Sequence, residues 1–177
     1  MTTVVDLRIA TLEDAEAIAR IHVETWRSTY AGMLPGDLLV GMSLEKQTEM
    51  WQRMLRGGET VVVAEDPRYG IIGFGSYGPN RSTRSDFTGE VFTLYLLPDF
   101  QGLGIGQGLL RALFGALARE GHENALIWVL AMNPTRFFYE AMGGKPVAAR
   151  DTNMGGQTVR EVAYGWESIH ALPSARV

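Results

Sequence analysis

Apolar and polar residues recur with two different periods along this chain, and the period predicts where strands and helices lie. Residues 4–10 alternate between apolar and polar and predict a strand. The next two segments are apolar at helical spacing, one opening near Thr11 and one beginning after Ser43, a residue typical of helix N-caps. Glycines at positions 57 and 58 end the second of these predicted helices.

Beyond residue 59 the period is mostly that of strands, with two helices inserted between them. Strands are predicted at residues 60–66, 71–77, 89–97 and 125–132, and a final pair flanks the turn at residues 153–157. Helices are predicted at residues 104–121 and 133–144, the latter with Asn, Pro and Gly where helices begin and end. Together with one strand–helix–strand crossover, this order predicts a mixed sheet covered by helices.

Composition and length restrict what kind of protein this is. A chain of 177 residues, of which 46% are hydrophobic, suits one globular domain over residues 1–177. Its net charge of −4 and its lack of a basic stripe argue against a nucleic-acid partner. The N-terminal residues do not resemble a secretion signal, and the apolar run at residues 125–132 is too short to span a bilayer. We therefore expect a cytoplasmic protein with no membrane partner.

Residue types also restrict the chemistry. The sequence contains no cysteine, which excludes disulfides, thiolate metal ligands and a cysteine nucleophile. The histidines, His22, His122 and His170, lie far apart without the spacing of metal ligands, so we expect no metal site.

Glycines stand at positions 102, 104 and 106, between a predicted strand and a predicted helix. A loop without side chains lets a polyanion approach the unpaired N–H groups at a helix start, so the segment predicts a phosphate-binding site. A tight strand-to-helix turn would also favour glycines here. The dinucleotide fingerprint fails because Gln107 or Leu109 stands where its last glycine should be. The P-loop fails at Pro146, and a serine-hydrolase elbow fails at Phe74.

At Gln101–Gly106 the sequence resembles the GNAT superfamily of N-acetyltransferases, whose acyl-CoA site carries Gln/Arg-x-x-Gly-x-Gly/Ala at this place. The surroundings match in the family's order: a strand with a carboxylate near its start, and a later strand leading into an Asn-capped helix that contains tyrosine. The resemblance covers about residues 7–166. It implies a mixed α/β, acyl-CoA N-acyltransferase-like fold. In that fold a mostly antiparallel central sheet of about six to seven strands opens near Leu97 and Pro98 and is flanked by about four helices.

The resemblance also implies that the chain binds acetyl-CoA. N–H groups of the glycine loop would hold the pyrophosphate, and the backbone of Leu94 and Leu96 would pair with the pantetheine arm, as an added strand pairs with a sheet edge. Residues carried over as the cofactor site are Leu94, Tyr95, Leu96, Gln101, Gly102, Leu103, Gly104, Ile105, Gly106, Gln107, Asn133 and Phe138. Asn133 is also a good helix N-cap, and the two roles are compatible.

Moving an acetyl group from a thioester to an amine requires a base for the amine, a donor for the carbonyl oxygen and an acid for the departing thiolate. The resemblance implies Glu90, the backbone N–H of Leu96 and Tyr139 for these three roles. Strand alternation predicts that Glu90 shares a face with Phe92 and Leu94, about 13 Å from the latter, so it would act through water. The alternative interpretation of Glu90 is an ordinary solvated glutamate at a strand start. The alternative interpretation of Tyr139 is a core aromatic residue.

The acceptor pocket is less well defined by the sequence. His22, Trp26 and Tyr30 recur every four residues and form one helical stripe, which in proteins is more often core than pocket. The segment resembles the family helices that wall the acceptor site. Trp26 and Tyr30 would offer an aromatic surface to a cationic amine, with Glu24 as its charge partner. An antibiotic, a polyamine, an amino-acid derivative and a peptide N-terminus all remain open as acceptors.

We therefore predict an N-acetyltransferase that moves the acetyl group of acetyl-CoA to a primary amine of a small molecule or peptide, by direct attack in a ternary complex. The resemblance also implies a homodimer, with the C-terminal hairpin as the candidate partner surface. One rival hypothesis is a non-catalytic acyl-CoA sensor on the same fold, whose behaviour would not change in Glu90→Gln and Tyr139→Phe variants. A second rival, a nucleotide-binding module, would prefer ATP to coenzyme A.

Overall fold

The computed structural model describes residues 4–172, which form one seven-stranded sheet and five α-helices. The strands are β1 Asp6–Ile9, β2 Thr60–Asp66, β3 Gly70–Pro79, β4 Gly89–Leu96, β5 Ala125–Leu130, β6 Lys145–Met154 and β7 Gln157–Trp166. The helices are α1 Ala15–Tyr30, α2 Gly36–Val40, α3 Leu44–Arg56, α4 Ile105–Arg119 and α5 Thr135–Ala141. The predicted elements are all present, and the short helix α2 adds one to the number of helices expected.

Local capping signals set the start of two helices. The Ser43 hydroxyl oxygen accepts a hydrogen bond from the Lys46 N–H at the beginning of α3, as the sequence predicts. The Asp14 carboxylate accepts a hydrogen bond from the Thr11 N–H at 2.7 Å. That contact closes a 3₁₀ turn at Leu12–Asp14, and α1 begins immediately after it.

The sheet has the strand order β1-β2-β3-β4-β5-β7-β6. Among the described strands, only β4 and β5 run parallel, and α4 forms the crossover between them. The other neighbours are antiparallel. The mostly antiparallel mixed sheet predicted from the sequence is therefore confirmed.

β4 and β5 pair only near their first residues. Their partners are Gly89 with Ala125, Glu90 with Leu126, and Val91 with Ile127. Beyond Val91 both strands continue without pairing to each other, so the sheet splits. The predicted opening near Leu97 is present, and it begins already after Val91.

A β-bulge at Phe92 determines which face of β4 each residue uses. Two consecutive residues of β3 lie opposite Val91 and Thr93, which leaves Phe92 as the extra residue. Val91 consequently joins Leu94 in the apolar cluster beneath α4. Because neighbouring strand residues point to opposite faces, Glu90 lies on the other side. The predicted shared face of Glu90 and Leu94 is therefore wrong.

Helices cover both faces of the sheet. α4 packs on one face, where a side chain at Gly75 would meet Leu113 at 2.5 Å, so glycine allows the close approach of helix and strand. α1 and α3 pack on the other face around Ile18 and Trp51. The split between β4 and β5 therefore connects a face covered by α4 with a face covered by α1.

None of the helices within residues 4–172 is long and apolar enough to cross a membrane. In the same part of the chain, no group of three or more His, Asp or Glu side chains is arranged to hold a metal ion.

Candidate active site

A cavity of about 730 Å³ passes through the split between β4 and β5. On the face covered by α4, its wall includes the glycine loop at residues 101–107 and Phe138 of α5. On the face covered by α1, its wall includes Trp26 and Tyr30. A cavity of this volume suits a small-molecule site. It joins the predicted cofactor loop to the predicted acceptor residues.

β4 presents to this cavity backbone groups that neither β3 nor β5 pairs with. The Leu97 N–H donates to the Ile72 carbonyl at 2.9 Å, and hydrogen-bonded pairs alternate along an antiparallel ladder. The backbone groups of Leu94 and Leu96 therefore point away from β3 and toward the split, and both residues line the cavity. This geometry suits the predicted pairing of Leu94 and Leu96 with an extended chain such as pantetheine.

The glycine loop adopts a backbone that requires glycine. Gly102 and Gly104 have φ angles of 76° and 81°, a region that residues with a side chain rarely adopt. No backbone hydrogen bond of the described residues uses the N–H groups of residues 102–106. These donors lie at the N-terminus of the 15-residue helix α4, where the helix dipole favours an anion.

The remaining loop residues contribute in different ways. The Leu103 side chain is exposed and Ile105 packs against the core, so only their backbone groups face an anion at the loop. Gln107 is buried and lines the cavity. The side chain of Gln101 donates a hydrogen bond to the Leu96 carbonyl at 3.1 Å, which ties the loop to the end of β4.

The Gly104→Ala variant is expected to lose about 10- to 100-fold in acetyl-CoA affinity, because it distorts N–H donors that would contact a charged phosphate. Gly121, at the other end of α4, is the matched control, with a φ of 92° and no atom within 4 Å of the position that an added Cβ would occupy. Both variants should lose about 1 kcal/mol of stability from the left-handed backbone. Calorimetric titration should show reduced affinity only in Gly104→Ala, and equal affinities would contradict the assignment of the loop.

Asn133 connects the two parts of the cavity wall. Its side-chain oxygen accepts a hydrogen bond from the Thr135 N–H at 2.9 Å, the capping contact predicted from the sequence. Its side-chain nitrogen donates to the Tyr30 hydroxyl at 3.0 Å. The residue thus caps α5 and fixes the acceptor-side tyrosine at the same time.

Tyr139 of α5 is both a core aromatic and a cavity residue. Its ring packs edge-on against Trp166, and only 3% of the residue is exposed. It lines the cavity, and its hydroxyl has no hydrogen-bond partner among the described residues. Burial raises the pKa of Tyr139, so its hydroxyl stays protonated at physiological pH. On the same helix, Phe138 lies against Gly106 and closes the cavity beside the glycine loop.

The side chain of Tyr95 packs on the α1 side of β4, in the apolar cluster that α1 and α3 cover. Its hydroxyl accepts a hydrogen bond from the Trp26 indole N–H at 3.0 Å, and its ring stacks on His22 with centroids 5.4 Å apart. Burial raises the pKa of Tyr95. Of the predicted stripe, Trp26 and Tyr30 line the main cavity, whereas His22 lines a neighbouring one.

His22 is held neutral by its surroundings, which predicts an acid-sensitive fold. Its Nδ1 atom accepts a hydrogen bond from the Trp51 indole at 3.2 Å, and burial lowers the pKa of His22 from 6.5 to about 4. Between these values the unfolded chain binds more protons than the folded one. The contribution of His22 to the free energy of unfolding is therefore lost as pH falls from about 6.5 to about 4.

A His22→Gln variant is expected to lose less stability than the wild type between pH 7 and pH 4.5. Glutamine can accept the Trp51 hydrogen bond but does not titrate. Urea unfolding of both proteins at the two pH values measures the difference. Identical pH dependence in the wild type and His22→Gln would contradict this explanation.

Glu90 lies behind Arg81, outside the described wall of the cavity. The residue is 2% exposed. One of its carboxylate oxygens accepts a hydrogen bond from the Arg81 Nη2 atom at 2.8 Å, and the other accepts from the Arg81 Nε atom and backbone N–H. Arg81 itself lines the cavity and lies 4.4 Å from the Phe92 ring centroid. In this structure Glu90 therefore affects the cavity through Arg81.

The structure does not bring Glu24 to the cavity. Glu24 is exposed on α1, and the cavity wall of α1 consists of Thr25, Trp26, Thr29 and Tyr30. Side chains two residues apart on a helix do not share a face, so Glu24 and Trp26 point in different directions. The predicted charge partner for the amine must be sought elsewhere.

Three residues of the C-terminal strands complete the wall, and sequence reasoning missed them. Arg150 of β6 donates through Nε to Glu161 of β7 at 2.7 Å, and its guanidinium lies 4.0 Å from the ring centroid of Trp128 on β5. All three line the cavity. The alternation of these strands gives no signal for this cluster, because it depends on the register of three strands.

The profile of the acetyltransferase (GNAT) family matches residues 17–143. The chain belongs to the GNAT family. This GNAT chain is 36% identical over 169 residues to YuaI, named an uncharacterized N-acetyltransferase, of Bacillus subtilis (strain 168), covering 95% of the chain and 96% of YuaI.

Two solved structures share the fold. YncA of Salmonella typhimurium, described with its cofactor acetyl-CoA, has a TM-score of 0.69 at 23% identity, covering 98% of the chain and 100% of YncA. The PaiA N-acetyltransferase of Thermoplasma acidophilum, in complex with coenzyme A, has a TM-score of 0.66 at 24% identity. The match covers 89% of the chain and 98% of PaiA. At these identities the likeness concerns the fold.

Proposed function

We propose that this GNAT protein transfers an acetyl group from acetyl-CoA to a primary amine of a small molecule or peptide, by direct attack in a ternary complex. The observation that carries the proposal is the cavity through the split sheet. It joins N–H donors at the start of α4 to an aromatic wall on the opposite face. A cofactor and an amine entering from the two faces would meet between β4 and β5.

The described residues fit coenzyme A. Residues 102–106 supply N–H groups without backbone partners at a helix N-terminus, and two of the glycines have a backbone that a side chain would strain. Leu94 and Leu96 supply a strand edge that β5 does not pair with, and an amide-containing arm could pair there. The complexes of YncA with acetyl-CoA and of PaiA with coenzyme A support this choice of cofactor.

Bound acetyl-CoA would supply the acetyl group as a thioester, in which the C–S bond breaks as the neutral amine nitrogen forms its C–N bond. The proton that the nitrogen sheds would pass to solvent, and coenzyme A would leave as the thiolate. The Leu96 N–H, directed into the split, would donate to the carbonyl oxygen as negative charge develops there. The Tyr139 hydroxyl, neutral and without a described partner, would donate to the departing sulfur. Both donors are fixed before the reaction because one belongs to a strand and the other to a packed helix.

In this proposal Glu90 is not the general base that the resemblance implies. Both of its carboxylate oxygens already accept hydrogen bonds from Arg81, and the residue is nearly fully buried. Removing a proton from the amine would require this ion pair to open. We therefore assign Glu90 to positioning the Arg81 guanidinium at the cavity.

Thiol release from acetyl-CoA tests the proposed function directly. The chain contains no cysteine and contributes no thiol signal of its own, so weak release can be measured with a thiol-reactive dye. Release that depends on an added primary amine would support the transferase. Saturable acetyl-CoA binding without release for any amine would instead favour the non-catalytic sensor. Tighter binding of ATP than of coenzyme A would contradict both.

A further inference from the structure

The charged residues of the cavity wall differ from those that the sequence suggested. Of the described residues that line the main cavity, Arg81, Arg150 and Glu161 carry charge. Glu161 is the sole carboxylate among them. Arg81 and Arg150 are separated by many residues from each other and from the glycine loop, and only the fold brings them to one cavity.

Glu161 is a fixed carboxylate. It lies opposite Arg150 on β6 and opposite Leu130 on β5, and its side chain is 12% exposed. Arg150 holds one carboxylate oxygen at 2.7 Å while stacking on Trp128. Burial chiefly raises the pKa of Tyr30. Glu161 and Tyr30 line the same cavity, so the carboxylate shares a wall with the acceptor-side residues.

Arg81 presents a fixed guanidinium to the same cavity. One edge contacts Glu90 through Nε and Nη2, and one face lies over Phe92. A guanidinium has five N–H donors, and the Nη1 atom has no hydrogen-bond partner among the described residues. The side chain is 65% exposed. The contact with Glu90 chiefly raises the pKa of Arg81. Arg81 and Glu161 line the same cavity, so a ligand there meets both charges.

Among the amines that the sequence left open, the charges of the wall disfavour a polycation. The two guanidinium groups of the wall are balanced by Glu161 and by Glu90 behind Arg81, while Glu59, which also acts on Arg81, lies outside the described wall of this cavity. A polyamine or another polycation would find one cavity-facing carboxylate beside two arginines. An amine with a neighbouring acidic group would find a partner for each charge.

We infer that the acceptor is a zwitterionic amine, such as a free amino acid. Its amino group binds Glu161 as an ammonium ion and loses one proton to solvent before the nitrogen attacks, and its acidic group binds the Nη1 edge of Arg81. This inference rests on the proposed transferase function and names its substrate class. Arg150 is a positioning residue that holds Glu161 against the cavity. The aromatic wall of Trp26 and Tyr30 contacts the rest of the acceptor.

The first test compares matched amines in the thiol-release assay with the wild-type protein. Free amino acids are measured beside the same compounds with the carboxylate blocked as an amide, and beside spermidine as a polycation. The expected kcat/KM of the best free amino acid is about 10- to 100-fold above that of its amide, as for the loss of a hydrogen bond to a charged group. Because the comparison uses the unaltered protein, it does not depend on the folding of a variant.

Variants test the two assigned contacts. Glu161→Gln should raise KM for the amine about 10- to 100-fold with little change in KM for acetyl-CoA. Asp151→Asn, in the exposed Asp151–Arg160 pair of the same hairpin, is the control and should match the wild type. The double variant Arg81→Gln/Glu90→Gln removes both charges, so no buried carboxylate is left alone, and should abolish the preference for the free acid over the amide. Melting temperatures and calorimetric acetyl-CoA binding verify that each variant is folded.

The outcomes separate this inference from the proposed function. Thiol release with amides or spermidine at rates equal to or above those of free amino acids overturns the zwitterion inference and leaves the transferase standing. An unchanged KM in Glu161→Gln overturns the role of Glu161. Absence of release with every amine, despite acetyl-CoA binding, overturns the transferase proposal itself.

Discussion

The Tyr139→Phe variant is expected to lower kcat roughly 10²- to 10³-fold, the cost typical of removing one donor that stabilises developing charge. The hydroxyl lines the cavity and has no partner among the described residues, whereas the ring is packed against Trp166. Phenylalanine keeps that packing and removes only the donor. The KM for acetyl-CoA should change little, because the interaction forms only as the sulfur gains charge.

The pKa of Tyr139 decides how the hydroxyl acts. Burial raises this pKa above the ordinary value near 10, whereas an ordinary thiol has a pKa of about 8.5. Full proton transfer from Tyr139 to a thiolate would therefore be unfavourable, and hydrogen bonding to the sulfur is the favoured role. An alkaline limb in the pH profile of kcat below about pH 10 should consequently persist in Tyr139→Phe, since Tyr139 would not cause it.

Tyr164→Phe is the matched control for this variant. Tyr164 lies in the same core with its ring centroid 6.1 Å from that of Tyr139, and its hydroxyl donates to Glu140 at 2.8 Å outside the described cavity wall. Loss of the Tyr164 hydroxyl should affect the free energy of unfolding and leave kcat near the wild-type value. If Tyr139→Phe retains the kcat of the wild type in steady-state thiol release, the hydroxyl has no part in the chemical step.

The sequence predicted those features that depend on neighbouring residues. The glycine loop, the cap at Ser43 and the capping contact of Asn133 before α5 are local signals, and the structure contains each of them. The order of strands and helices followed from the period of apolar residues along the chain. The side of β4 on which Glu90 lies could not be predicted, because a bulge at Phe92 depends on the pairing of β4 with β3.

The acceptor side of the cavity was largely beyond sequence reasoning. Arg81 lies in a loop, and Arg150 and Glu161 lie on opposite strands of the C-terminal hairpin, without a motif around any of them. Their proximity depends on strand order and register. The sequence suggested Glu24 as the carboxylate because it lies two residues before Trp26. Residues two apart on a helix do not share a face, and Glu24 is exposed. Charge in a cavity is set by residues that only the tertiary structure assembles.

The Leu96→Pro variant is expected to lose roughly 10²- to 10³-fold in kcat because it deletes the N–H that would stabilise the carbonyl oxygen. Proline is normally harmful within a sheet because it removes a ladder hydrogen bond. At Leu96 the N–H points into the split, so the ladder with β3 is kept, and Tyr95 before it is already extended as proline requires.

Leu96→Ala separates the backbone effect from the side chain. Leu96 is partly buried in the cluster beneath α4, so both variants should lose about 1–2 kcal/mol of stability, less than for a fully buried leucine. Only Leu96→Pro also lacks the donor. Steady-state thiol release should therefore show a large loss of kcat in Leu96→Pro and a small one in Leu96→Ala, with both variants verified by thermal unfolding. The two variants differ in whether residue 96 has a backbone N–H. Equal kcat values in folded Leu96→Pro and Leu96→Ala would therefore show that another group stabilises the carbonyl oxygen.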